Sequence, residues 1–308
     1  MIKIALITDT NQSAIWRLAS ALKYDGIIYK ITSFHPKRPD PKEIQAVKEL
    51  FVWADLIHIQ YWKSGVKIRS MMPDLWNTKR KILTHYNPYN LHDEDWHDYI
   101  KLVVVNKTQH KELPSAKLIP LCTDVEFFKF NPNYTNDLVV NMTVNRIEGK
   151  KGVKEVAEAC QELGYKFLLV GRPSDPKYVD SIKKLSNVEF KQSVSEQELR
   201  NCYYRSAVHV CNSVPNFESG SLPVLEAMAC GVPVISRNVG HIPDLNTGNN
   251  LILLEKPKLN DGLKETLKRV MEDKQLRLNL REPGRKTAES RGYHIWRKMH
   301  GDLYKGIS

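Results

Sequence analysis

Short apolar runs alternate with stretches of helical pattern along the whole chain, and this alternation constrains the fold more than any other feature. An apolar run, a helical stretch and a second apolar run read as a βαβ unit, and repeated units build a parallel sheet flanked by helices. In the first half the runs predict strands at Ile2–Thr8, Ile27–Thr32, Leu56–Gln60, Lys81–His85, Leu102–Val105 and Lys117–Pro120. Helical stretches lie between them at Ser13–Lys23, Lys42–Val52 and Lys107–Glu112. The second half repeats the pattern, with strands at Leu138–Val144, Lys166–Val170, Val188–Phe190, Ala207–Cys211, Val232–Ser236 and Asn250–Leu254. Its helices are expected at Gly152–Leu163, Pro176–Leu185, Glu196–Tyr204, Leu222–Ala229, Asp261–Glu272 and Gln275–Glu289.

The chain has 308 residues, 42% of them hydrophobic, enough to fill two cores. The polar, turn-rich stretch Phe130–Asn136 fits a linker. The reading is an α/β protein of two Rossmann-like parallel-sheet domains facing across a cleft, residues 1–132 and 133–290. A terminal amphipathic helix with Trp296 and Tyr304 follows over 291–308. No apolar run is long enough to span a bilayer, and MIKIALITDT reads as a strand, not as a signal peptide. The five cysteines are scattered without a C-x-x-C pair and read as reduced core thiols of a cytoplasmic protein.

A net charge of +11 favours an anionic partner: a nucleotide diphosphate, an anionic lipid surface or a nucleic acid. No recognised motif interleaves the charges with aromatics, so no nucleic-acid partner is expected. Lys63, Lys67, Arg69 and Lys79-Arg80-Lys81 are a candidate patch for peripheral contact with an anionic membrane, with solvated surface charge as the alternative.

The segment Asn216–Ser236, NFESGSLPVLEAMACGVPVIS, carries the most chemistry. Glu218 and Glu226 sit with seven residues between them across a loop-to-helix junction that follows the buried strand AVHVCNS. Pro223 is tolerated in the first turn, and the helix stops at Cys230-Gly231. Glu226 lies in a helix apolar on nearly every side, where a carboxylate is costly unless something satisfies it. A helix N-terminus at the carboxyl end of a parallel strand is also where α/β proteins bind anions. The structural alternative pairs Glu226 with a buried Arg or Lys and leaves Glu218 solvated.

This segment resembles the E-x7-E motif of the retaining GT-B glycosyltransferases, in particular glycosyltransferase family 4. The resemblance implies the GT-B architecture, with acceptor bound by the first domain, donor by the second, and the terminal helix crossing back to the first. It implies that Glu226 takes the ribose hydroxyls of a UDP- or GDP-sugar and Glu218 a hydroxyl of the donor sugar. The amides of Ser219, Gly220, Ser221 and Leu222 would face the sugar and diphosphate; Ser219 and Ser221 stand where glycines are common. Arg146 and Lys151, after the strand LVVNMTV, match an Arg and a Lys-Gly of the family and would neutralise the leaving diphosphate, with Lys150 as the alternative to Lys151. Gly171 resembles the family's glycine after the next strand, and backbone near Lys191–Val194 would meet the base. Asp124 and Phe128 in IPLCTDVEFFKF match the family, while Cys122 and Thr123 depart from it.

In the first domain the resemblance places His85 near the reacting sugar and makes His58 structural; as lone residues, either reads as a packed histidine. The first loop, Asp9–Ser13, lacks the glycine-rich turn common in the family. Asn11 or Ser13 would cap the helix and still point amides at an anion. Trp16, Trp62, Tyr86 and Tyr89 are aromatic candidates for sugar contact, with core or rim packing as the alternative. Asp93-Glu94-Asp95 is formally a D-x-D triplet but reads as a helix start, so neither metal nor other cofactor is expected. The implied activity is a metal-independent, retaining hexosyl transfer from a nucleotide sugar to a glycan, lipid or other hydroxyl acceptor. A GT-B epimerase and a non-catalytic sugar-nucleotide or glycan-binding protein are the alternatives.

Overall fold

The structure is a computed structural model that describes residues 1–11, 13–87, 96–133, 137–255 and 258–307. The chain divides into two compact units, residues 1–121 with 293–308, and residues 122–292. Each is built on a six-stranded parallel sheet with helices, as the alternating pattern predicts.

The first sheet contains β1 (Ile2–Thr8), β2 (Ile27–Ser33), β3 (Leu56–Ile59), β4 (Arg80–His85), β5 (Lys101–Val104) and β6 (Lys117–Leu118). Their order is β2-β1-β3-β4-β5-β6. Ala5, Ile7, Ile57, Ile59 and Leu83 pack from the sheet against Val47 and Phe51 of the helix Pro41–Trp53, and against Trp76. That helix starts with a capping box, Asp40 accepting from the Glu43 amide while Glu43 reaches back.

The terminal helix Tyr293–Ile307 belongs to this first unit. It buries Trp296, His300, Leu303 and Tyr304, and the Arg297 Nε donates to the Ala21 carbonyl at 2.6 Å. His58 is fully buried beneath it, with Nδ1 2.6 Å from the Tyr304 hydroxyl and Nε2 2.7 Å from Thr84 Oγ1. Nδ1 thus joins helix to sheet and Nε2 joins β3 to β4, contacts of the structural kind that the resemblance implies for His58.

The second sheet contains β7 (Val139–Ile147), β8 (Lys166–Pro173), β9 (Val188–Lys191), β10 (Val208–Cys211), β11 (Val234–Arg237) and β12 (Ile252–Leu254). Their order is β12-β11-β10-β7-β8-β9. A core of Val140, Met142, Phe167, Leu169, Val208, Val210 and Ile235 packs on Val153, Val156, Leu267 and Val270 of two amphipathic helices. The division between units falls before the polar stretch in which a linker was expected. Residues 122–131 pack onto the second unit instead: Asn131 donates to the Cys230 carbonyl, and Phe130 fills the space beside Gly231. Arg285 donates to the carbonyls of Val125, Phe128 and Ala229, binding the same stretch to the helix Lys274–Glu289.

Of the candidate basic patch, with solvated surface charge as its alternative, Lys63 and Arg80 are exposed and Lys67, Arg69 and Lys79 half-buried. Lys81 is buried, its ammonium bonded to the Trp76 and Lys79 carbonyls at 2.7 Å. Arg69 pairs with Asp98, and Arg80 donates to the Ile307 carbonyl. The five cysteines are buried free thiols. No helix among the described residues is long and apolar enough to cross a membrane.

Among the described residues, four of the buried histidines are held neutral, chiefly by desolvation. His209 and His241 are pushed down to about 3 and His300 to about 4, while His58 lies well below its ordinary value. An unfolded chain protonates these rings near pH 6.5, so it binds more protons than the folded one below that pH. Stability is therefore fully present above pH 6.5 and lost as pH falls toward the folded values, by up to about 1.4 kcal/mol per proton per pH unit. Urea unfolding midpoints should drop between pH 6.5 and 5, before most carboxylates titrate; a flat profile would show that these rings protonate in the fold.

Candidate active site

The site is assembled at the carboxyl ends of β7 and β10. After β7 the chain makes a short 3₁₀ turn, Gly149–Lys151, and enters the helix Val153–Glu162 through Gly152. Gly152 has φ +64°, and a Cβ there would lie 2.5 Å from the Asn212 backbone oxygen, so the turn demands glycine on both counts. After β10 the chain runs through buried Asn212 and Ser213 and a left-handed Asn216 (φ 60°) into the helix Leu222–Ala229. The Val214 amide donates to the Lys150 carbonyl at 2.9 Å and latches the two loops together.

The latch brings Lys151 to Glu218. The Lys151 ammonium donates to Glu218 Oε1, and the Ser213 hydroxyl donates to the same oxygen at 2.8 Å. Both charged side chains are largely enclosed, 12% and 14% exposed. Phe217 lies beneath the cations, its ring centre 5.1 Å from the Lys151 Nζ and 5.2 Å from the Lys150 Nζ. Lys150 itself is exposed, and the geometry favours Lys151 as the cation of the pocket. Two predicted functional residues, from loops 67 positions apart, thus form one ion pair.

Glu226 is buried at 1% exposure, and the Tyr203 hydroxyl donates to its Oε2 at 2.8 Å. A phenol hydroxyl satisfies that oxygen without cancelling its charge. Tyr203 is buried as well, and its hydroxyl is pushed well above the usual phenol range by burial and by the Glu226 charge, so it stays a donor. Phe128 packs edge-on against the Tyr203 ring, 6.0 Å between centres.

Other predicted residues are placed differently. Arg146 ends β7 beyond a bulge and is exposed, its guanidinium 3.4 Å from Glu148. Gly171 lies against β7: a Cβ there would run into the Val144 carbonyl, so strand packing already demands this glycine. The Ser221 amide does not face open space; it donates to His241 Nε2 at 3.1 Å. The amide of Leu222 has no partner among the described residues, Pro223 has no N–H, and Val224 bonds back to Ser221. Ser219 and Gly220 are half-buried in the loop between Glu218 and the helix.

In the first unit, His85 ends β4 and is buried, with Nδ1 3.0 Å from the Asn87 carbonyl and its ring edge-on to Trp96 at 5.5 Å. Asn11 is exposed, and Ser13 caps the following helix, accepting from the Trp16 amide at 3.0 Å. Tyr89 and the Asp93-Glu94-Asp95 triplet lie outside the described residues. Among the described residues no group of three or more His, Cys, Asp or Glu side chains is arranged to hold a metal.

Ser213, Tyr203 and the Gly240-His241 turn belong to the site without having stood out in the sequence. Tyr203 lies in a helix whose periodicity accounts for it as core, and His241 in a turn with no motif. Their partners are 23 and 20 positions away, a distance no local pattern reports.

Two doubly wound parallel sheets, each followed by helix N-termini at its strand ends, define the GT-B class of fold. Solved structures agree. Sucrose-phosphate synthase from Thermosynechococcus elongatus superposes with a TM-score of 0.80 at 19% identity, over 100% of this chain and 99% of that one. Anabaena HepE, solved in complex with UDP and glucose, gives 0.80 at 13% identity over 99% and 100%. The family is set by sequence: residues 124–287, more than half of the chain, match the glycosyl transferases group 1 family, and the chain belongs to it. An uncharacterised glycosyltransferase of Methanocaldococcus jannaschii is 32% identical over 148 residues, covering 46% of this chain and 40% of that protein. A human phosphatidylinositol N-acetylglucosaminyltransferase polypeptide is 23% identical over 163 residues, 49% of this chain and 33% of its own length. The matches thus span less than half the length of these curated relatives.

Proposed function

We propose that the protein is a retaining, metal-independent glycosyltransferase of the family 4 type, moving a hexose from a nucleotide diphosphate sugar to an acceptor hydroxyl. The observation that carries this reading is the enclosed Lys151–Glu218 pair at the mouth of the helix that bears Glu226. A cation, a sugar-facing carboxylate and a ribose-facing carboxylate are the three contacts that a nucleotide sugar requires along its length.

In this reading Glu226 accepts from the ribose hydroxyls while Tyr203 holds its other oxygen. Lys151, with Arg146 turning inward from the end of β7 and the Leu222 amide, stabilises charge that grows on the diphosphate. The bond between the sugar C1 and the phosphate oxygen breaks, and the acceptor oxygen bonds to C1 on the same face. The acceptor proton passes to the departing phosphate oxygen. Glu218 holds a sugar hydroxyl. HepE is solved with UDP, so UDP-sugars are the first donors to test, with GDP-sugars next. A glycan or lipid hydroxyl is the acceptor class.

Slow donor hydrolysis, followed by NMR in excess chelator, tests the reaction without a known acceptor. The sugar first released from an α-linked donor should be the α-anomer, at the same rate with or without magnesium. First release of the β-anomer would rule out retention, and loss of all release in chelator would rule out metal independence.

A further inference from the structure

Three helices of this chain solve the same terminal problem in two ways. Pro41–Trp53 and Glu196–Tyr204 close their N-termini with capping boxes, in which a glutamate at the third position accepts from the cap residue's amide. The helix Leu222–Ala229 has Val224 at that position and no side-chain cap. Its cap amide, Ser221 N–H, donates instead to His241 Nε2, which arrives from the turn after β11. His241 is 1% exposed, and among the described residues its Nδ1 has no hydrogen-bond partner. Since Nε2 accepts, the ring proton sits on Nδ1.

The neighbouring Gly240 completes the support. It has φ +55°, and a Cβ there would lie 2.7 Å from the Glu218 carbonyl oxygen and 2.8 Å from the Ser219 backbone. The Gly240-His241 turn is therefore the floor of the loop from Glu218 to Ser221, touching both of its ends. A capping glutamate in place of the imidazole would put a negative charge at the helix N-terminus, where the dipole otherwise favours an anion. Burial and the nearby Arg291 charge push His241 down to about 3, so it remains an uncharged acceptor across the working pH range.

We propose that His241 is a positioning residue for donor turnover: its imidazole fixes the Ser221 amide, and with Gly240 beneath it sets the Glu218 loop without adding negative charge beside the diphosphate. The inference rests on the functional reading above for the identity of the ligand. The positioning itself is a property of the chain alone.

The test uses His241→Phe, which keeps the ring and removes the acceptor, and His241→Gln, which restores a neutral acceptor. Gly240→Ala perturbs the same floor independently, should the phenylalanine variant fail to fold. Amide hydrogen exchange over residues 218–222 should quicken about tenfold or more in His241→Phe and in Gly240→Ala, and recover toward wild type in His241→Gln. Donor hydrolysis should fall in kcat by about tenfold to a hundredfold in the first two variants. Affinity for the nucleoside diphosphate, held through Glu226, should change by no more than about twofold. Unchanged exchange at 218–222 in folded His241→Phe would overturn the positioning role, as would an equal loss of nucleotide affinity and turnover. Quickened exchange in a protein whose wild type binds no nucleotide sugar would leave the positioning intact and sink the donor reading instead.

Discussion

Replacing Lys151 with methionine should lower donor turnover by about a hundredfold to a thousandfold, the loss typical of removing one preorganised donor from a developing anion. The side chain is fixed in place by its neighbours. Lys151 and Ser213 meet at one oxygen of Glu218, and Phe217 supports the ammonium from below. An ammonium has three N–H donors, so Lys151 has the capacity to keep Glu218 while bonding a phosphate oxygen. The substitution also leaves an enclosed carboxylate without its cation and with the Ser213 hydroxyl still donating, which should cost roughly 1–3 kcal/mol of stability. Lys151→Met with Glu218→Gln should recover most of that stability but none of the turnover, because the unpaired charge is gone and the phosphate contact is still missing. Steady-state donor hydrolysis and urea unfolding of wild type, the single variant and the double variant check this. Turnover restored in the double variant would show that the pair is only structural.

Glu226→Gln should weaken binding of the nucleotide by about tenfold to a hundredfold, the range for losing charge-assisted hydrogen bonds to a buried acceptor. The side chain stays the same size, so packing in the apolar helix is preserved and the effect is electrostatic. An amide can accept from Tyr203 through its oxygen, but it then turns N–H groups toward the ribose hydroxyls. Tyr203→Phe should give a smaller loss of the same kind, since it removes the hydroxyl that orients the carboxylate at 2.8 Å. Calorimetric titration with the nucleoside diphosphate checks both; unaltered affinity in Glu226→Gln would remove the ribose assignment.

The alternation of apolar runs and helical patterns made the two-sheet fold legible, because a parallel strand buried on both faces leaves a continuous apolar run. Helices with strong caps, such as Glu196–Tyr204, were legible to the residue. The helix Trp62–Met71 was not: it has no side-chain cap and carries Ser64 and Gly65 on its buried face, so its pattern is weak. The division at Leu121 was hidden because the turn-rich composition that suggests a linker lies further on, at Phe130–Asn136, while the contacts of Phe128, Phe130 and the arginines that hold this stretch act across the fold.

Within the candidate site, Glu218, Glu226 and Lys151 could be singled out in the sequence because each stands in a motif tied to a strand end. The pairing of Lys151 with Glu218 could not, since it depends on how β7 and β10 lie side by side. Gly171 shows the converse: a glycine singled out by its resemblance to the family's is already accounted for by the backbone of β7. Tyr203 and His241 act through other residues, and only the folded chain brings them to the carboxylate and the amide they hold.

The proposed chemistry stands or falls with the binding of a nucleotide diphosphate sugar by the Glu218–Glu226 segment. Thermal stabilisation against UDP-, GDP-, ADP- and dTDP-sugars in chelator, run in parallel on wild type and Glu226→Gln, tests this most directly. The expected result is a rise in the unfolding temperature of wild type with the sugars of one nucleotide, sharply reduced in the variant. No rise with any donor from folded wild type, or an equal rise in Glu226→Gln, would contradict it.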